Sequence, residues 1–434
     1  MDKMADVLGR AGAWCGQNKY LSAIKNAFQN FMPLTIAGAI GVLWCNVLVN
    51  ESTGLGLFFK PIMALDFLNP AFQAVNFCTI SCITVGITLG IAQEIGIWNM
   101  GAEKAGYIPG LVGLAAWLSV TNTSHMVDGA KEAFTGVAGN ELGATGLFTG
   151  MIIGVLSVEL FCFFEKQDAL KIKMPEQVPP GVARAFEVLV PATITLIITA
   201  CIGSACYNLT GLYLNDVIKN GVQGPLGAVG ATVPGVMIIY LVIMLFWLVG
   251  IHGNNMLSAV KEALFTPLAL ENVEKFNKGE KPTNIINMYA LQMWGEFGGS
   301  GVTIGLVIAI MIFGKREDNK AIASLSLVPG LFNINETVTF GIPMVLNPIL
   351  GIPFVFACLV TILVGYVLTV IGFCPVACLT VPWTTPPIVF GFLACGANVM
   401  GAVTQAILIV VSTVIYTPFL IAYEKYQNKQ AAEV

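Results

Sequence analysis

The last third of the chain contains 87 consecutive residues, from 337 to 423, without an aspartate, glutamate, lysine or arginine. Glu336 stands immediately before this run, and residues 321–335 ahead of it are also uncharged. A carboxylate in apolar surroundings is costly unless hydrogen bonds or a charged partner satisfy it. The run therefore predicts a chain that folds in a lipid bilayer, and it predicts that Glu336 has a function there.

The composition supports the same fold class along the whole chain. Of the 434 residues, 56% are hydrophobic and 11% charged, and the mean hydropathy is +0.79, whereas about a quarter of the residues in soluble domains are charged. Seven further uncharged runs approach or exceed the roughly 20 residues that span a bilayer. They cover residues 26–50, 67–93, 105–127, 142–158, 188–215, 220–260 and 297–314. We predict an all-α polytopic membrane protein.

The basic residues predict an orientation. They cluster before the first run, between the fourth and fifth runs, and after the last: Lys3, Arg10, Lys19 and Lys25; Lys166, Lys171, Lys173 and Arg184; Lys425 and Lys429. By the positive-inside rule, both termini and the 165–184 loop are expected to be cytoplasmic. The first 30 residues lack the pattern of a cleavable signal and are expected to begin as an amphipathic stretch at the membrane surface.

The second half does not divide into simple spans. Lys261, Lys275, Lys278 and Lys281 follow a sixth span at about 233–253, and Lys315-Arg316 follow the run 299–314, so both ends of one crossing would face the cytoplasm. Either residues 283–298 cross again or part of 254–298 re-enters the membrane. Eight prolines between 337 and 423 suggest further broken helices around two good spans, at about 352–373 and 402–423.

This contrast divides the chain into two predicted parts. Residues 1–215 hold five conventional spans and are expected to form a scaffold. Residues 216–434 hold most of the irregular segments together with Glu336, and they are expected to form the working half.

Two polar clusters in the working half are candidate sites. His252 lies between glycines in WLVGIHGNNM and is followed by Asn254, while Asn335 precedes Glu336 in NINE. Ionisable groups in such apolar segments usually contact a ligand, and the alternative is a structural role in a turn. We predict that His252 and Glu336 approach one cavity. His125, in an outer loop, is assigned no role.

Two tryptophans lie beside the irregular segments, Trp247 in LFWLVG and Trp383 in VPWTTPP. Aromatic faces stack on sugar rings, although membrane-interface anchoring is an equal alternative for each indole. The eleven cysteines show no metal-ligand spacing, so no metal site is predicted. The sequence also shows no nucleotide-binding loop and no catalytic triad, and neither a cofactor nor nucleic-acid binding is expected.

The chain resembles the membrane-embedded enzyme IIC of bacterial phosphotransferase systems, in the lactose/cellobiose/diacetylchitobiose branch. Five segments in family order carry the resemblance: IKNAFQNFMPLTIAGAIG (24–41), LGATGLF (142–148), HGNN (252–255), LFNINETVTFGIPMVLNPILGIPF (331–354) and VPWTTPP (381–387). One position departs from the family pattern, which usually reads Asn-Glu-Pro where this chain has Asn335-Glu336-Thr337.

The resemblance implies a homodimer in the bacterial cytoplasmic membrane. Each protomer would have about ten transmembrane helices and two re-entrant hairpins, with the dimer contact in the first half and one disaccharide in the second. Glu336 and His252 would contact and activate the sugar's 6-hydroxyl, with Asn254, Asn335, Trp247 and Trp383 completing the binding site. The phosphate would come from a cysteine of a separate enzyme IIB, supplied in turn by a separate enzyme IIA.

Two other functions fit the composition. An ion-coupled secondary transporter also uses broken helices and buried carboxylates, but it would deliver unmodified sugar. A membrane receptor would bind sugar or peptide without any uptake.

Overall fold

The fold is almost wholly helical in the computed structural model, which describes residues 10, 14, 17–51, 56, 59–125, 134–175, 177–225, 230–342 and 344–433. Most of the amphipathic start predicted for the first residues lies outside this part of the chain. Nineteen α-helices are formed by the described residues. They are α1 Lys19–Leu43, α2 Asn69–Asn76, α3 Ile83–Met100, α4 Ala102–Ala105, α5 Ile108–Val120, α6 Gly139–Leu142, α7 Ala144–Glu165, α8 Pro180–Thr210, α9 Leu214–Ile218, α10 Val233–Leu248, α11 Gly253–Met256, α12 Ser258–Asn277, α13 Met288–Gly295, α14 Ile304–Phe313, α15 Glu317–Leu331, α16 Glu336–Gly341, α17 Gly351–Val370, α18 Val389–Ala394 and α19 Val399–Glu433.

Short irregular elements join these helices. Three are π-helical, Trp44–Leu48, Phe77–Ser81 and Lys219–Gln223, and three are 3-10 helices, Lys60–Leu68, Asp168–Leu170 and Ser300–Val302. Two antiparallel strands of two residues each, β1 Ser124–His125 and β2 Phe134–Thr135, form a small hairpin.

Among the described residues, five helices are long and apolar enough to cross a bilayer. They are Lys19–Leu48, Ala144–Glu165, Pro180–Thr210, Gly351–Val370 and Val399–Gln430. The count becomes seven if two bent helix pairs are each one span, namely Lys60–Ser81 with Ile83–Met100, bent by 42°, and Met288–Val302 with Ile304–Phe313, bent by 59°. The all-α membrane fold is therefore confirmed, and the two good spans expected near 352–373 and 402–423 are α17 and α19.

The chain forms two compact units. One comprises Gln17–Gly38 and Ala74–Ala228, and the other Met1–Gly16, Ala39–Gln73 and Val229–Val434. In the first unit, α3 packs against α5 and α7, and a cluster around the fully buried Trp117 includes Val120 and Ile153.

Small residues allow the close helix approach in this first unit. A methyl group on Gly90 would lie 3.1 Å from the side chain of Ala27, and one on Gly86 would overlap the ring of Phe31. Gly86 and Gly90 of α3 therefore let this helix pack closely against α1 of the same protomer.

The second unit contains α10–α19 and all of the candidate site residues. Its centre is a break between α13 and α14, where Gly298, Gly299 and Gly301 have positive φ angles of 68°, 87° and 77°. Around this break α14 and α17 both pack on the long helix α19. The break lies in the region where the basic residues gave conflicting orientations.

One basic residue used in that orientation argument was misassigned. Lys261 is 5% exposed and lies in α12, where it pairs with Glu296. Because this charge is neutralised inside the fold, it is no evidence for a cytoplasmic loop. The sixth run also ends as a helix at Leu248, five residues before the end expected from the sequence.

We expect a methyl group at the crossing of α18 and α19 to destabilise the second unit. A Cβ on Gly391 would lie 2.5 Å from the carbonyl oxygen of Gly401, which belongs to the backbone and cannot rotate away. Gly391→Ala should lower the apparent melting temperature of the purified protein, because overpacking of this kind costs about 1–3 kcal/mol. The matched control is Gly330→Ala in α15, where the nearest atom lies 3.4 Å away. Equal melting temperatures for the two variants would contradict the close packing of Gly391 against Gly401.

Candidate functional site

His252 lies in a turn that its own side chain stabilises. After α10 ends at Leu248, the chain turns through Gly250 (φ 82°) and enters the short helix α11. The Nδ1 atom of His252 accepts a hydrogen bond from the backbone N–H of Asn255 at 3.2 Å. The next residue must be a glycine, because a Cβ at Gly253 would overlap the carbonyl group of Ile243.

Glu336 is the first residue of α16 and follows a sharp bend in the NINE segment. Asn333 occupies the left-handed region with φ 63°, and Asn335 stands at the N-cap position. Asn335 is 4% exposed, and its Nδ2 donates to the carbonyl oxygen of Ser300 at 2.8 Å. The bend therefore turns Asn335 inward and leaves Glu336 outside the buried core.

The structure brings the side chains of His252 and Glu336 together. The Nε2 atom of His252 lies 3.9 Å from Oε1 of Glu336, and the side chains are 38% and 47% exposed, so a ligand can reach both. This separation exceeds the 2.7–3.2 Å of a direct hydrogen bond. A hydroxyl oxygen lying beside the line between the two atoms can be within hydrogen-bonding distance of both.

The hydrogen bond at Nδ1 of His252 determines which hydrogen-bonding groups His252 and Glu336 present to a ligand. An imidazole nitrogen that accepts from a backbone N–H carries no proton, so in the neutral ring the proton is on Nε2. His252 then presents an N–H donor and Glu336 presents a carboxylate acceptor. We call these two groups, the Nε2–H of His252 and the carboxylate of Glu336, the hydroxyl pair. An alcohol can accept from one group while it donates to the other.

Asn333 ties three irregular segments together. Its Oδ1 accepts from the backbone N–H of Gly298 at 2.6 Å, and its Nδ2 donates to the carbonyl oxygens of Trp383 and Thr385, the latter at 3.2 Å. The break between α13 and α14, the NINE bend and the VPWTTPP segment are thereby fixed to one another. Trp383 is held near the site by its backbone, and its indole is 44% exposed.

The other predicted residues are placed as follows. The Nδ2 of Asn254 donates to Oγ of Ser300 at 2.9 Å. Trp247 is 2% exposed, and its ring centroid lies 4.5 Å from that of His252, with Phe354 packed on another side at 6.5 Å. In this conformation the indole supports the imidazole and offers no free face to a sugar.

Sequence reasoning missed a buried ion pair next to these residues. Lys261 pairs with Glu296, and Glu296 also accepts a hydrogen bond from the hydroxyl of Tyr240 at 2.7 Å. The signal was present, because Lys261 ends the uncharged run 220–260 and Glu296 immediately precedes the run 297–314. Lys261 was instead assigned to a cytoplasmic loop after the sixth span.

Comparison with known proteins places the chain among sugar permeases. Residues 25–358 match the family model described as Phosphotransferase system, EIIC. The chain is 32% identical over 429 residues to the oligo-beta-mannoside-specific EIIC component of Bacillus subtilis (strain 168), covering 98% of this chain and 94% of the relative. It is 31% identical to the lactose-specific EIICB component of Streptococcus mutans serotype c, covering 96% of this chain and 71% of the relative.

A solved structure is similar over nearly the whole chain. The crystal structure of ChbC, the IIC component from the N,N'-diacetylchitobiose-specific phosphotransferase system, matches with a TM-score of 0.88. The sequences are 29% identical, and the match covers 97% of each chain.

We expect Asn333→Asp to loosen the site without any change in side-chain size. The substitution removes the Nδ2 donor and points a carboxylate at two carbonyl oxygens, which should cost about 1–3 kcal/mol. The melting temperature should fall, and cleavage by protease within residues 381–387 should accelerate. Asn208→Asp, on an exposed part of α8, is the control and should change neither quantity. Unchanged protease sensitivity in Asn333→Asp would contradict the link between the segments.

Proposed function

Because the chain belongs to the phosphotransferase system EIIC family, we propose that it binds a disaccharide and carries it across the cytoplasmic membrane. It then presents the sugar's 6-hydroxyl for phosphorylation. The observation that carries this proposal is the hydroxyl pair, in which a neutral imidazole and a carboxylate lie 3.9 Å apart and are open to a ligand. A hydroxyl group of a sugar, which both donates and accepts a hydrogen bond, satisfies both of them.

For phosphoryl transfer, the membrane protein mainly has to position the sugar hydroxyl. The S–P bond of a phosphocysteine on enzyme IIB would break, the sugar oxygen would form the new O–P bond, and the hydroxyl proton would pass to Glu336. Because the transition state of phosphoryl transfer is loose, orientation of the oxygen matters more than a strong base. His252 would hold the oxygen in line, and Glu336 would accept the proton late.

The substrate we propose is a disaccharide of β-linked hexoses, of the cellobiose, diacetylchitobiose or lactose type. The relatives named above are specific for an oligo-β-mannoside, lactose and N,N'-diacetylchitobiose. Asn254 and Asn335 would bind hydroxyls through the second hydrogen of each Nδ2 group, so that their contacts with Ser300 are kept, and Trp383 would stack on a ring. Trp247 would act through His252, which its indole supports.

The partners and the finer architecture are part of the proposal. A separate enzyme IIB would dock on the cytoplasmic loops and be recharged by enzyme IIA. The protomer would contain about ten spans and two re-entrant hairpins, with both termini cytoplasmic. Residues 1–215 would form the scaffold and dimer contact, and residues 216–434 the sugar-binding part. The 59° bend between α13 and α14 supports one re-entrant element.

The deciding experiment is uptake by membrane vesicles that contain the protein. Vesicles would receive phosphoenolpyruvate, the general phosphotransferase proteins, enzymes IIA and IIB, and one radiolabelled disaccharide. We expect the sugar to accumulate as its 6-phosphate and uptake to stop without IIB. Accumulation of unmodified sugar driven by an ion gradient would instead identify a secondary transporter, and binding without uptake would identify a receptor.

We expect Glu336→Gln to reduce turnover more than binding. Gln keeps the size of the side chain but cannot accept a proton as a carboxylate does. Phosphorylation at saturating sugar should fall by about 10²–10⁴-fold, towards the lower value because the transition state is loose. Sugar affinity, measured by calorimetry, should change less, since the other hydroxyls keep their contacts.

The control for this variant is Glu103→Gln, an exposed glutamate in α4 of the other unit. It should leave both quantities unchanged. If Glu336→Gln weakens binding but phosphorylates at the normal rate once saturated, Glu336 binds the sugar and takes no part in proton transfer.

We expect the dimer contact to lie in the first half of the chain. In a cysteine-free background, single cysteines at exposed positions of α8, such as Ile197 and Leu209, should form crosslinked dimers in membranes. Cysteines at exposed positions of α19, such as Val410 and Val414, should remain monomeric. Crosslinking through α19 alone would place the contact in the other half.

A further inference from the structure

A continuous line of buried and partly buried polar contacts connects the segments that carry the hydroxyl pair. Lys261 in α12 pairs with Glu296 at the end of α13, and its Nζ also donates to Oδ1 of Asn254 at 3.1 Å. The Tyr240 hydroxyl donates to the same oxygen of Glu296 at 2.7 Å. Lys261 is 5% exposed, and it is the one lysine or arginine that is buried in the described part of the chain.

The line continues from Asn254 to the segment that carries Glu336. Since Oδ1 of Asn254 faces the ammonium group, its Nδ2 points the other way and donates to Oγ of Ser300 at 2.9 Å. The carbonyl oxygen of Ser300 accepts from Nδ2 of Asn335 at 2.8 Å. Asn254 lies two residues after His252, and Asn335 lies one residue before Glu336. His252 and Glu336 are therefore both linked, through the neighbouring residues Asn254 and Asn335, to the same line of polar contacts.

Stability alone is a poor reason for such an arrangement. The desolvation of two charges offsets most of their attraction, so a buried ion pair is often replaced by apolar residues without loss. A charge that fixes the orientation of an amide has a different effect, because it determines which way the next hydrogen bond runs. Here that next hydrogen bond joins the HGNN turn to the glycine-rich break.

We propose that the Lys261–Glu296 ion pair is a positioning element for phosphoryl transfer, which sets the separation of the two groups of the hydroxyl pair. This proposal rests on the proposed function. The ion pair touches neither sugar nor phosphate, and it acts through Asn254, Ser300 and Asn335. Since a misplacement of about 1 Å can cost a factor of 10² in rate, loss of the line should reduce turnover while most sugar contacts persist.

The test uses three variants and a control in reconstituted vesicles supplied with phosphoenolpyruvate and the soluble components. Lys261→Met removes the charge and the contact with Asn254 at similar side-chain length. Glu296→Gln removes the partner charge, and the double variant removes both charges together. Lys278→Met is the matched control, because Lys278 follows the same helix and pairs with Glu274 at 2.6 Å, but its side chain is 59% exposed.

We expect Lys261→Met to lower the rate of 6-phosphate formation at saturating sugar by about 10–100-fold, with a change of less than about threefold in sugar affinity. Glu296→Gln should show the same split between rate and affinity. Lys278→Met should match the wild type in both quantities. The double variant should recover the melting temperature lost in Lys261→Met, because neither member of the ion pair is then left without its partner, while its turnover stays low.

Two results would overturn the proposal. One is normal turnover in Lys261→Met, and the other is a turnover that recovers with the melting temperature in the double variant, since the pair would then be structural only. If the wild type binds sugar but forms no 6-phosphate, the proposed function fails. Hydrogen–deuterium exchange then decides the positioning role: faster exchange at both 252–256 and 333–336 in Lys261→Met, and not in Lys278→Met, supports it, and unchanged exchange rejects it.

Discussion

The arrangement of the second unit depends on satisfying the backbone of a non-helical segment in an apolar fold. Three residues of the break between α13 and α14 are glycines with positive φ, so regular helical hydrogen bonds are lost there. Buried backbone groups without partners are costly, and in a membrane they have no water to replace them. Side chains supply the partners: Thr303, at the end of the break, donates to the carbonyl oxygen of Gly298 at 2.6 Å, and Tyr416 of α19 donates to that of Gly301 at 2.8 Å.

Two further side chains that satisfy the backbone of the break also belong to the candidate site. Asn333 accepts from the N–H of Gly298, and Asn335 donates to the carbonyl oxygen of Ser300. The bend that Asn333 and Asn335 form is the bend that exposes Glu336. The break therefore determines where the carboxylate stands, and polar residues that a sugar could use are already needed to hold the backbone. This is why the NINE segment is polar within such an apolar region.

The sequence predicted more of the site than of the path of the chain. Isolation in apolar runs singled out Glu336 and His252 as a candidate pair, and the structure brings the two side chains to within 3.9 Å of each other. The same reasoning failed for Lys261, which counted as a loop charge, since the pairing of two residues 35 positions apart cannot be read from local pattern. Span boundaries were uncertain for a related reason: Leu248 ends α10 where backbone packing at Gly253, and not hydropathy, dictates the turn.

Under the proposed function, the tautomer of His252 affects how well the site would hold the product. Protonation of Nδ1 would remove the acceptor for the N–H of Asn255, so this hydrogen bond favours the neutral ring with its proton on Nε2. The hydroxyl pair then suits an alcohol, which needs one donor and one acceptor. A phosphate ester has only acceptor oxygens at that position and carries negative charge, which the carboxylate of Glu336 repels. Lys261, which could have compensated that charge, is already held by Glu296. Under the proposed function, the site would therefore be complementary to the sugar before transfer and not after it, which would favour release of the phosphorylated product.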